Sequence, residues 1–182
     1  TRIRKGDTEK GLREADVEVE ETYWSPYQEH VYLETEAAYA VPESGKVTVI
    51  CNGQSPFLVR EKVAHVLGWS LNRVRIIQAL TGGAFGGKED YPEIMGAPLA
   101  VAAVKIGKPL RMIFDRYEDL SWTSKRHPSR TRIRSAHDAK GRITAMDYDI
   151  IIDGGAYESY SLIVLQRAIF TSNGVYNFPN VR

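Results

Sequence analysis

Cysteine is nearly missing: Cys51 is the one thiol among 182 residues. That excludes an internal disulfide framework and suits a reducing compartment, so a cytoplasmic location is expected. No Cys-x-x-Cys pair exists. His65, His127 and His137 are scattered, with no spacing that reads as a zinc site. Excess charge of one sign is also absent, with 24 Lys and Arg against 23 Asp and Glu for a net charge of +1. This balance gives no reason to expect nucleic acid or an anionic membrane surface as a partner. No apolar run approaches membrane-spanning length, and no signal-peptide pattern opens the chain.

What remains is ordinary globular material, 43% hydrophobic and 26% charged, long enough to bury a sizeable core. The chain opens Thr-Arg-Ile-Arg-Lys without Met and stops at Asn180-Val181-Arg182, so a piece of a longer polypeptide is expected. Residues 1–14 are polar without periodicity and read as a linker or frayed end. Residues 15–182 read as part of one domain.

Val17–Glu21 alternates as a strand, Val31–Thr35 continues a β-rich pattern, and Val47–Cys51 follows the Ser44-Gly45 turn. The period then changes. Ser55-Pro56 predicts a helix start, with Phe57, Val63, Ala64 and Leu67 on its apolar face and Gly68 as its end. Val74–Ile77 is a strand. Pro92 starts a second helix that Gly107 closes, its Ala100, Ala102 and Ala103 suited to close packing on a sheet. Leu110–Phe114 is a strand, Arg130–His137 and Ile143–Ile152 form a pair across Lys140-Gly141, and Leu162–Phe170 is a short helix. This mixture predicts an α+β fold, a mixed sheet with helices packed on it. Arg130, Arg132 and Arg134 alternate onto one strand face, as a solvated edge or a subunit contact.

Between strand and helix lies Gly82-Gly83-Ala84-Phe85-Gly86-Gly87-Lys88-Glu89-Asp90, with four glycines in six positions. Glycine costs conformational entropy, so such a cluster points to backbone shaped to touch something. Gly82-x-x-x-x-Gly87-Lys88 matches all but the last place of the nucleotide phosphate-loop pattern. Glu89 stands where the magnesium-binding hydroxyl belongs, and Pro92 starts the helix several residues late. The other reading is a nest of main-chain N–H groups turned toward an anion or a polar metal-bound oxygen, with Phe85 as a shaped wall. A plain glycine-rich turn would need only two glycines.

Gly82 to Glu89 resembles the Gly-Gly-Gly-Phe-Gly-Gly-Lys-Glu signature of the molybdenum hydroxylases, the xanthine dehydrogenase and aldehyde oxidase group, in their molybdopterin-binding subunit. The resemblance runs from about Ala15 to Arg182. It includes His30–Thr35, Gln54-Ser55-Pro56, Asp115–Asp119, Lys125–Pro128, Asp153–Tyr157 and Tyr176–Val181. It implies hydroxylation of an N-heterocycle or aldehyde with water as the oxygen source. It implies a molybdenum–molybdopterin cofactor, with the cytosine dinucleotide form open. The 2Fe–2S clusters and FAD would sit on other domains or subunits, and these with the rest of the molybdenum subunit would be the partners. The cofactor carries the hard chemistry and the protein orients it.

Residue by residue, the resemblance implies that Gln54 hydrogen-bonds a molybdenum ligand through its amide. Gly83, Ala84, Phe85 and Gly86 would line the cofactor, the Phe85 main-chain amide facing the metal's ligands. Gln54 and Phe85 would thus lie just outside the metal's own ligands. Glu89 matches the residue that reaches the substrate in xanthine-type enzymes, where burial would raise its pKa; otherwise it is a solvated carboxylate at the helix start. Lys88 reads as a surface charge or a partner of Glu89 or Asp90. Ala84 departs from the signature's central glycine. The family's general-base glutamate lies in a Gly-x-Gly-Glu segment that does not occur here, so no catalytic residue is expected in this stretch.

Overall fold

Strand β2, Ala37–Glu43, and strand β3, Lys46–Cys51, form an antiparallel hairpin with Ala38 opposite Cys51 and Glu43 opposite Lys46. Strand β4, Val74–Gln78, runs parallel to β3, and strand β5, Leu110–Ile113, runs antiparallel to β2. The sheet order is β4-β3-β2-β5. Period-two alternation sends Ala38, Ala40, Val47, Val49 and Cys51 to one buried face. Helices α2, Pro56–Leu67, and α3, Tyr91–Ile106, cover that face with Val59, Val63, Ala64, Met95, Leu99, Ala100 and Ala103. Each buried Val or Leu contributes roughly 1.5–3 kcal/mol, and the alanines let α3 lie close to the strands. Gly68 and Gly107 end the two helices in the left-handed conformation. A 3-10 turn spans Leu71–Arg73, and a short helix, α4, spans Arg116–Trp122.

These elements belong to one compact unit, Glu29–Arg126; the other joins residues up to Gln28 to His127–Arg182, and the computed structural model describes residues 2–182. In the second unit strands β1, Val17–Ser25, β6, Ser129–His137, and β7, Ile143–Ile152, make an antiparallel sheet in the order β1-β6-β7. Residues 1–14, which read as a linker or frayed end, contain helix α1, Thr8–Arg13, which buries Leu12 against Ala136 and Ala145. Helix α5, Ser161–Thr171, follows β7.

The α+β class holds. Four readings of individual elements change. Val31–Thr35 is not a strand, and Val31 has φ +45°. Strand β2 was not anticipated, because its alanines and Pro42 weaken the β signal. Phe57 points outward, 77% exposed, while Val59 takes the buried place on α2. The arginines of β6 lie on the central strand, not an edge: Arg134 pairs with Glu18 and Glu20, Arg132 with Glu20 and Asp147, and Arg130 with Asp149.

Candidate functional site

Strand β4 ends at Gln78, and the chain then crosses the glycine segment before α3 begins at Tyr91. Residues 30–34 run along one side of this segment. A Cβ at Gly82 would stand 2.6 Å from Glu34 Cβ, and one at Gly87 would stand 2.7 Å from both His30 Nδ1 and Tyr32 Cε1. These glycines exist for close approach to a protein wall. Gly83 and Gly86 are needed for their dihedrals, φ +93° and +94°. Phe85 also has positive φ, +56°, an uncommon conformation for a bulky residue, and its side chain is 76% exposed. Ala84 does not adopt positive φ, which is why a Cβ is tolerated there.

Gln54 precedes α2 and meets the loop. Its main-chain N–H donates to Lys88 O at 2.8 Å, and its side-chain Oε1 accepts from Gly86 N at 3.2 Å and Lys88 N at 3.4 Å. Two amide donors fix which end of the carboxamide is oxygen, since a flipped amide would set NH₂ against N–H. Gln54 is exposed, and among the described residues its NH₂ has no partner. The main-chain N–H groups of Gly83, Ala84 and Phe85 likewise have no partner among the described residues. The Gln54 NH₂ and these three main-chain N–H groups are therefore open to solvent or to a ligand.

Lys88 is fully buried, contrary to its reading as a surface charge or a partner of Glu89 or Asp90. Its Nζ donates to Glu34 O at 2.8 Å and to Glu34 Oε2 at 3.1 Å, and sits 4.4 Å from the Tyr32 ring centre. This removes the phosphate-loop reading, in which the lysine must reach the phosphates. Burial pushes the Glu34 carboxyl up, but hydrogen bonds from the Gly82 and Asn52 amides and from Lys88 outweigh it and hold the pKa below its ordinary value. Behind lies a second buried group: Asp119 accepts from Tyr32 Oη and Glu36 N, and Arg116 ties Asp119 to the Tyr32 and Leu33 carbonyls. Burial, with Asp119 nearby, raises Glu36 to about 8 despite Lys88. Burial lowers His30, opposed in part by Asp90 and Glu89, and its buried Nδ1 has no partner among the described residues.

The sequence pattern of the molybdopterin cofactor-binding domain matches residues 1–182. The chain belongs to that family. It is 36% identical over 183 residues to xanthine dehydrogenase/oxidase of Rattus norvegicus, covering 100% of this chain and 14% of that protein. It is 34% identical over 183 residues to aldehyde oxidase 4 of Cavia porcellus, with the same coverage. The aldehyde oxidoreductase of Desulfovibrio gigas, activated with sodium dithionite and sodium sulfide, superposes with a TM-score of 0.92 at 27% identity, covering 99% of this chain and 20% of that one. The chain thus spans about a seventh of the length of these curated relatives.

The donor set fits a molybdopterin cofactor. Among the described residues no group of three or more His, Cys, Asp or Glu stands ready to ligate a metal. What the site offers instead are N–H donors suited to oxo or sulfido groups on a metal and to phosphate oxygens of the organic pterin that carries it. Of the residues singled out in the sequence, Gln54, Gly83, Ala84, Phe85 and Gly86 come together at one exposed loop. Glu89 is half-buried beside them and close enough to His30 to act on its charge. His30, Tyr32, Glu34, Asp119 and Arg116 carry the loop's support and were not named individually. Their segments, 30–35 and 115–119, did stand out as family elements. The large hollow of the other unit, about 630 Å³ and lined in part by Arg132, Tyr148, Phe170 and Tyr176, contains none of the loop residues. No helix among the described residues is long and apolar enough to cross a membrane.

Proposed function

We propose that this chain is part of a molybdenum oxidoreductase of the xanthine dehydrogenase and aldehyde oxidase type, and that it supplies one wall of the cofactor site. The observation that supports this reading is the seat of Gln54: the loop amides hold its oxygen, which leaves its NH₂ as a fixed donor beside three free N–H groups. Molybdopterin, when bound, supplies two-electron oxidation of an N-heterocyclic or aldehydic carbon with water as the oxygen source. The chain's own task is to orient that group. The Gln54 NH₂ and the Phe85 amide would donate to atoms around the metal without adding charge, and donors fixed in advance cost no reorganisation during reaction. The exposed Phe85 ring would close one side of the substrate space, and Glu89 would accept or donate a hydrogen bond to a heterocyclic substrate. The general-base glutamate would come from elsewhere in the protein, so this chain alone would not turn over. In the same reading, 2Fe–2S clusters and FAD on other domains or subunits receive the electrons, the pterin is carried either plain or as its cytosine dinucleotide, and the enzyme is cytoplasmic.

The test uses the full-length protein with its cofactor. Metal and pterin analysis should find molybdenum with an organic pterin; their absence defeats the reading. Gln54→Ala should slow turnover by about a hundredfold, the scale of losing one fixed donor, with molybdenum content retained. An unchanged rate removes Gln54 from the site. Glu89→Gln, assayed on a purine-like heterocycle and on an aldehyde, should slow the heterocycle selectively; equal rates on both substrates would remove Glu89.

A further inference from the structure

The bonds around the glycine loop form a closed circuit. Gly82 N donates to Glu34 Oε2 at 2.8 Å, and Lys88 Nζ donates to the same oxygen at 3.1 Å. Lys88 N and Gly86 N both donate to Gln54 Oε1, and Gln54 N donates back to Lys88 O. Gly82, Glu34, Lys88, Gln54 and Gly86 are thereby linked in turn, and the amides of residues 83–85 lie on the arc between the two ends. A further bond, Glu34 N to Gly82 O at 3.1 Å, fastens the first glycine from its other side.

Lys88 is the node that both halves of this circuit share. Its main chain grips Gln54 and its ammonium grips Glu34. Taking an ammonium wholly out of water costs several kcal/mol, and a methionine could fill the same space above Tyr32 without that penalty. Only the lysine of this pair is withdrawn from water, the Glu34 side chain being 40% exposed, so the pair is weak support for stability but can specify one arrangement over its alternatives. The arrangement specified here is the curvature of residues 82–88.

We propose that Lys88 and Glu34 are positioning residues that fix the spacing between the free loop amides and the Gln54 carboxamide. This rests on the function proposed above for its consequence in catalysis, but not for its effect on the loop. Neither side chain touches the cofactor or substrate in this scheme. Lys88→Met removes the ammonium and keeps the volume; Glu34→Gln keeps an acceptor oxygen for Gly82 and weakens the pair.

The experiment compares wild-type, Lys88→Met, Glu34→Gln and the double variant of the full-length holoenzyme. Amide hydrogen exchange, molybdenum and pterin content, kcat and KM are measured for each. In Lys88→Met, the hydrogen-bonded amides of Gly82, Gly86, Gly87 and Lys88 should exchange at least tenfold faster, while those of β2 and β3 stay within twofold. kcat should fall by about ten- to a hundredfold as the donors are displaced, while KM changes only as far as the Phe85 ring moves with the loop. Glu34→Gln should show the same pattern more weakly, and the double variant should be no worse than Lys88→Met, because the two residues act as a unit. Should Lys88→Met fail to fold, Glu34→Gln decides. Unchanged loop exchange in a folded variant overturns the proposal, as does a loss of protection spread evenly over β2 and β3. A wild-type protein without molybdenum would defeat the functional reading alone, and loop exchange would still judge the clamp.

Discussion

At the scale of single residues, the glycine segment divides into positions that answer to the protein and positions that face outward. Gly87 is of the first kind. A methyl group there would stand 2.7 Å from His30 Nδ1 and Tyr32 Cε1, distances that Cβ atoms essentially never show. Tyr32 is 2% exposed and cannot swing aside, because Asp119 holds its hydroxyl and Arg116 its carbonyl. Gly87→Ala must therefore move the loop. We expect a destabilisation of about 1–3 kcal/mol from overpacking, read as a lower denaturation midpoint, together with faster exchange of the Gly86 and Lys88 amides. A variant with wild-type midpoint and exchange would mean that the wall at residues 30–34 yields easily. Cys51 shows the opposite case, a residue with little left to do chemically: it is buried in β3, and burial raises its thiol to about 11. It packs as a small apolar side chain and is not a nucleophile at neutral pH.

At the scale of elements, α4 does more than its seven residues suggest. Asp115 Oδ1 accepts from Glu118 N at 2.8 Å and Glu118 Oε2 accepts from Asp115 N at 2.9 Å, a reciprocal cap that starts the helix. The first turns of that helix deliver Arg116 and Asp119 to the segment behind the glycine loop. Asp115→Ala should cost about 1 kcal/mol, seen as roughly fivefold faster exchange of the Asp119 and Thr123 amides, whose acceptors lie in the first turns. No change would show that packing alone sets the helix start. The same helix shows what the sequence conceals. The long amphipathic elements were legible: α2 by its Ser55-Pro56 start and Gly68 end, α3 by Pro92 and Gly107, and β3, β4, β6 and β7 by alternation. A helix of two turns has too few apolar positions for a period, and β2 carries Pro42 within it. The Gln54-to-loop juxtaposition was legible through resemblance. The Lys88–Glu34 pair spans 54 residues and depends on a fully extracted ammonium. No local pattern distinguishes such a lysine from a surface one.

At the scale of the whole molecule, the two units place their buried carboxylates in opposite settings, and their responses to pH should differ in sign. In the unit of β6 and β7, Asp147 is 2% exposed and held by Arg182 through bonds of 2.8 and 3.1 Å, with Arg132 near. The Arg182 hydrogen bond lowers its pKa below the ordinary 3.8. A lowered carboxyl contributes stability above its unfolded value and loses it as pH falls through the folded one, so this unit should weaken in acid. In the unit of β2 and β3, Glu36 is wholly buried and raised from 4.5 to about 8, facing Asp119 and Tyr32 as well as Lys88. Its contribution is complete below 4.5 and disappears as pH rises through 8. His30, lowered from 6.5, runs the other way but only below that value. Between pH 6.5 and 8 Glu36 therefore governs the difference. Hydrogen exchange on the full-length protein, corrected for intrinsic rates, should show Ala37–Ala40 losing protection across that interval. Glu36→Gln should abolish the slope while leaving the acid-side loss at Met146–Tyr148 intact. The converse variant, Asp147→Asn, should flatten only the acid limb. Equal slopes in wild type and Glu36→Gln would mean that the Glu36 carboxyl is ionised at neutral pH, with Lys88 shared between two carboxylates and the circuit around the glycine loop correspondingly looser.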